Sequence, residues 1–217
     1  MHSVPVNPAS LALLTLLLLT SGPAGAADWQ GVREEEGIVV SSLTQPGEAL
    51  PVLRGVVRID RPVDDVLAWI RDVSTHTQWM HNCTEARRVQ EDGDTIVIYN
   101  RTSPHWAISD RDVVLRSVLI RSSEDGSARV EFRATDEVDL RPDDSVVRMP
   151  RLEGHYDLRP DPAGGTRVEY QVSIDPGGAL PDWLVERSTS DLPYFTLRNL
   201  REKVESADVA LGGTPSK

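Results

Sequence analysis

Three groups of side chains have the types and spacing to do chemistry. His76, His81 and Cys83 place two imidazoles and a thiol close together in the chain. Their His-x4-His-x-Cys spacing matches no zinc frame and no fourth ligand follows, so no metal is expected. Arg111-Asp112, with Arg148 and Arg151 further on, supplies cations and a carboxylate that either pair with one another or meet a polar group. Charges are almost never buried unpaired, which favours solvated positions for Arg148 and Arg151. Pro176-Gly177-Gly178-Ala179-Leu180-Pro181 gives backbone freedom between a strand and a helix, as a hinge requires. Gly-x-Ser-x-Gly, His-Glu-x-x-His, Gly-x-x-x-x-Gly-Lys and Gly-x-Gly-x-x-Gly are absent. Hydrolase, P-loop and dinucleotide chemistry therefore have no foothold. No catalytic residue and no cofactor is predicted.

The elements that must position these groups are bounded by composition. With 39% hydrophobic and 26% charged residues, the 217-residue chain is globular and suits one domain with a core, or a core plus a cavity. Its net charge of −11, with no Lys/Arg cluster, argues against nucleic acid and against docking on anionic lipid. Any membrane contact would be apolar, local and transient. The lone Cys83 allows no internal disulfide and reads as a small buried hydrophobe. The uncharged run Leu11–Leu19 followed by Ala24-Gly25-Ala26-Ala27 has the pattern of a secretory signal peptide over residues 1–26. That predicts export to the periplasm or the medium, although residues 2–10 lack the usual Lys or Arg.

Residues 27–49 read as a polar extension of the domain, with Gly37–Ser41 as one short strand. Leu53–Ile59 reads as the first main strand. Asp60-Arg61-Pro62-Val63-Asp64-Asp65 signals a helix start, with a capping Asp and acids at the positive dipole end. Val66, Leu67, Trp69, Ile70 and Val73 continue it at helical spacing. A second short turn of helix follows at Thr75–Met80. Three hairpins come next, each around a glycine turn: 84–90 with 95–102, 112–121 with 128–135, and 151–159 with 166–175. One strand, one helix and three hairpins predict an antiparallel α+β domain over 50–205. From Pro181 an amphipathic helix runs through Leu192, Leu197, Leu200 and Val204. Pro193 predicts a kink or two abutting helices near Asp191, and 206–217 reads as a flexible tail.

This order resembles the START branch of the helix-grip superfamily across Leu50–Val204. The resemblance rests on Ile59–Val66 as strand-to-helix junction and Trp79-Met80 after the second helix. It rests also on Ser109-Asp110-Arg111-Asp112-Val113-Val114 as strand start, and on Ile174–Pro181 as last strand, loop and helix start. It implies a curved antiparallel sheet wrapped around a long kinked C-terminal helix, with an internal hydrophobic cavity. It implies a monomeric carrier of a hydrophobic small molecule, lipid or sterol-like, gated by the 176–181 loop. A polyketide aromatase/cyclase of the same fold is the alternative. Burying about 400 Å² of ligand at roughly 25 cal/mol/Å² supplies on the order of 10 kcal/mol before ordering costs.

Side-chain parity selects the wall. From Arg111 the alternate set Val113, Leu115, Ser117 carries little charge and is the candidate inner face. Tyr99, Arg101, Trp106, Arg151, Tyr156, Trp183 and Leu197 complete the predicted pocket, with Gly177, Gly178 and Leu180 as gate.

Overall fold

The computed structural model describes residues 28–48, 50–104, 108–140, 145–178 and 182–211. Among the described residues ten strands form one sheet; nine of them, β1 (Gln30–Glu35), β2 (Ile38–Leu43), β3 (Val52–Ile59), β4 (Cys83–Asp92), β5 (Thr95–Thr102), β6 (Arg111–Arg121), β7 (Ala128–Ala134), β9 (Arg151–Pro160) and β10 (Thr166–Asp175), lie in the order β1-β2-β3-β10-β9-β7-β6-β5-β4, and the tenth, β8 (Val147–Arg148), pairs with β6. The predicted hairpins are β4 (Cys83–Asp92) with β5 (Thr95–Thr102), β6 (Arg111–Arg121) with β7 (Ala128–Ala134), and β9 (Arg151–Pro160) with β10 (Thr166–Asp175). The meander closes non-locally: β10 pairs antiparallel with β3 (Val52–Ile59), placing Tyr170 opposite Gly55. A two-residue strand, β8 (Val147–Arg148), lies parallel to the start of β6.

The N-terminal extension is more ordered than its sequence suggests. Both β1 (Gln30–Glu35) and β2 (Ile38–Leu43) belong to the sheet, and Ile38 and Val40 are fully buried. The extension also clamps the last helix. The Arg33 guanidinium lies 3.4 Å over the Tyr194 ring and 3.2 Å from Asp191, while Arg201 donates to the Glu36 carbonyl at 2.7 Å. The register of β1 slips between Gly31 and Arg33, and that of β4 slips twice.

Helix α1 (Val63–Arg71) buries Val63, Val66, Leu67 and Ile70. Its N-cap is Pro62 with no side-chain capping bond, so Asp60 does not cap it. The Asp60 backbone N–H instead donates to Glu205 at 2.9 Å, tying this turn to the end of the last helix. A 3₁₀ turn at Val73–Thr75 and the short α2 (His76–Trp79) follow.

Helix α3 is a single helix, Asp182–Leu211, with Pro193 inside it. It is not two abutting pieces, and it extends past residue 205 into the expected tail. Proline brings no N–H to the ladder, and a helix tolerates this where packing compensates. Here the packing is visible. A Cβ on Gly55 would lie 3.1 Å from Pro193 Cβ and 2.7 Å from Leu197 Cδ1, so only glycine lets the helix approach β3 this closely. Tyr194, Leu197, Leu200 and Val204 form the buried stripe of α3 and join Val57, Ile59, Leu158 and Val168 in the main core.

Candidate functional site

The helix fills only part of the space inside the curved sheet. What remains is a cavity of about 210 Å³, more than ten times the roughly 10–15 Å³ one water needs. One wall comes from Ile98, Asn100 and Thr102 of β5 with Val113, Leu115 and Ser117 of β6. The register explains the sharing: Asn100 faces Val113 and Ile98 faces Leu115, and directly opposed residues point to the same face of a sheet. The opposite wall is aromatic. Tyr156 and Tyr170 stack at 4.6 Å, and Phe132 and Trp79 sit 5.7 Å and 6.1 Å from Tyr156. Leu192 and Thr196 of α3 line it too, with Pro176 beside the loop that leads to α3.

The walls are apolar apart from a few buried groups, and no Asp or Glu lines the cavity among the described residues. His76 Nε2 lies 3.0 Å from the Ile70 carbonyl, so it carries the proton and donates. Burial depresses the imidazole pKa below 6.5, which keeps the ring neutral. Burial pushes the Tyr156 and Tyr170 phenols up, so both stay protonated. Asn100 donates to Met80 Sδ at 3.8 Å. Among the described residues, four lining atoms lack a partner at hydrogen-bond geometry: His76 Nδ1, Asn100 Oδ1, Arg111 Nε and Tyr156 OH.

Comparison with known proteins places this architecture. The START domain family model matches residues 15–207. The chain belongs to the START domain family. A START-type neighbour, the STAR-related lipid transfer protein of Xanthomonas axonopodis, is 32% identical with a TM-score of 0.75, covering 82% of this chain and 98% of that one. An uncharacterized protein of Pseudomonas aeruginosa is 31% identical over 85% of this chain and 91% of its own length. Human StAR-related lipid transfer protein 5, at 21% identity and a TM-score of 0.76, covers 85% and 89% and shares the fold.

Within this START domain the predicted positions separate. Val113, Leu115, Ser117 and Tyr156 line the cavity. Tyr99 and Arg101 do not, because the opposite face of β5 points inward. Tyr99 packs outside against Val97 and Val114, and Arg101 pairs with Asp110 at 2.7 Å. Arg151 pairs with Glu48 at the surface. Leu197 is buried in the helix–sheet core instead of the cavity, and Trp183 is 48% exposed at the start of α3. Gly177 and Gly178 both hold positive φ, 66° and 65°, as a glycine turn requires. Trp106 and Leu180 lie outside the described residues.

Arg111 and Asp112 do not pair with each other. As successive strand residues they point to opposite faces. Asp112 is fully buried outside and takes Arg148 bidentately, at 2.8 Å from Nε and 3.0 Å from Nη2. Arg148 also donates to the Leu140 carbonyl. This latch holds β8 against β6 and leaves Arg111 facing the cavity. The signal was in the sequence, since Arg111 shares the parity of Val113, Leu115 and Ser117. His76, His81 and Cys83 form no metal cluster. Among the described residues the group within ligating reach is His155, Asp157 and Glu169 on the outer face, where Arg129 lies 3.2 Å from Asp157 and supplies the countercharge.

Proposed function

We propose that this START domain binds a hydrophobic small molecule in the cavity between sheet and α3 and carries it between membranes. The observation that supports this most directly is the apolar cavity between sheet and helix, which contains no carboxylate among the described residues. Access runs past Gly177–Gly178, where two successive positive-φ glycines let the segment between β10 and α3 change course. The exposed Trp183 just beyond supplies the apolar, local contact that an acidic protein needs at a membrane. The export reading rests on the Leu11–Leu19 run and makes the exported compartment the place of action. An aromatase/cyclase would need an acid or base at neutral pH. Among the described lining residues no Asp or Glu is present to serve as one, which favours binding over turnover.

Native mass spectrometry of protein purified from its source tests the reading. A copurified lipid, and transfer of that lipid between donor and acceptor vesicles, is the expected result. An apo spectrum together with no uptake from vesicles of mixed source lipids would refute it. Gly177→Pro combined with Gly178→Ala should slow uptake at least severalfold, and unchanged rates would move the gate elsewhere.

A further inference from the structure

One side chain in the cavity has a charge that the apolar reading does not use. Arg111 is 5% exposed, yet no carboxylate lies within ion-pair distance of it among the described residues. Its Nη1 donates to the Ser109 carbonyl, and its Nη2 reaches the Gly177 carbonyl only at 3.4 Å. Its Nε has no hydrogen-bond partner among the described residues. Burial alone depresses its pKa, with no acid opposing the effect. The chain carries 34 acidic against 23 basic residues, so acids are not scarce. The adjacent acid, Asp112, is committed on the outer face to Arg148.

A buried cation without a countercharge is costly, and proteins avoid it unless something else supplies the charge. Arg111 sits across from Thr102 at the end of the β5–β6 wall, beside the Gly177 carbonyl of the gate. An amphipathic ligand that enters tail first would leave its head there.

We infer that Arg111 is the head-group subsite, and that the ligand is a single-chain amphiphile with a carboxylate head, its tail running toward Tyr156 and Trp79. This rests on the carrier reading and names its ligand class. A carboxylate matches the free Nε edge of a guanidinium, where two parallel N–H donors meet two oxygens. No other Arg or Lys lines the cavity among the described residues. One cation balances a monoanion, whereas a phosphate monoester would keep a second, uncompensated charge.

Delipidated full-length protein titrated with cis-parinaric acid and with its methyl ester, followed by fluorescence, tests this. The acid should bind at least tenfold tighter than the ester at low salt, and Arg111→Met should close that gap. Acid and ester binding equally well to the wild type would overturn the inference while leaving the carrier reading standing. Binding of neither, with lipid still taken up from vesicles of mixed source lipids, would overturn the ligand class alone; binding of neither with no such uptake would remove the carrier reading itself. Dodecyl phosphate in competition with dodecanoate distinguishes the heads: stronger displacement by the phosphate would overturn the carboxylate assignment. Because the acid–ester comparison is made on the wild type, it decides the matter even if Arg111→Met fails to fold. A gap of the same size in a folded Arg111→Met protein would likewise overturn the assignment to Arg111.

Discussion

Replacing Arg148 with Met removes half of a latch whose other half cannot reach water. Asp112 has 0% side-chain exposure and both of its oxygens accept from Arg148. The substitution deletes two charge-assisted bonds and strands the carboxylate. Removing one partner of a buried pair typically costs about 3–5 kcal/mol. The Arg148 side chain is 32% exposed, so water partly refills the site and the low end, about 3 kcal/mol, is expected. The contrast is Arg121–Asp64, an ion pair of nearly the same length, 2.7 Å, between two exposed side chains. Its removal by Arg121→Met should cost under about 0.5 kcal/mol. Urea unfolding followed by tryptophan fluorescence measures both, with an unchanged m-value showing that the denatured state is not altered. If Arg148→Met lost less than about 1 kcal/mol, or no more than Arg121→Met, burial would not be what gives the latch its strength.

Three further outcomes follow from the packing and the titrations. Gly55→Ala drives a methyl against Leu197 and Pro193 and should destabilise by about 1–3 kcal/mol as an overpacked core; an unchanged midpoint would mean that the helix is free to shift. The His76 pKa is lowered on folding, so the unfolded chain binds more protons below pH 6.5 and stability should fall as pH drops through that window. In His76→Gln the fall should be shallower, whatever the absolute stability, and an identical slope from pH 7 to 5 would assign it to other groups. Burial pushes the Cys83 thiol up to about 11, so native protein at pH 8 should react with a disulfide reagent at least about a hundredfold more slowly than urea-unfolded protein.

The sequence made the local features legible and left the non-local ones open. Each hairpin carried its own glycine turn, and the β6 set Val113, Leu115, Ser117 could be read from parity because Arg116 marked the other face. On β5 both faces mix apolar and polar residues, so parity alone could not choose. The choice comes from pairing with β6, which brings Ile98 and Asn100 inward with Leu115 and Val113. Tyr99 and Arg101 were placed inside for want of that register. β1 was invisible for a different reason: of its six residues only Val32 is a large apolar side chain, and it is exposed. β8 has two residues, too few for any period. Pro193 signalled a break that the contact with Gly55, 138 residues earlier in the numbering, makes tolerable.

The slips in β1 and β4 have a consequence for how copies of this protein meet. These two strands are the free ends of the sheet, and each is interrupted and studded with charge: Arg33, Glu34 and Glu35 on one, Glu85, Arg87, Arg88 and Glu91 on the other. A straight row of unpaired backbone groups would invite a neighbouring chain to continue the ladder. An interrupted and charged row does not, because a second strand laid along it loses register within a few residues and must strip water from the charged side chains. The same hydrogen-bonding that builds a ten-stranded wall around a greasy interior is thereby stopped at its own margins.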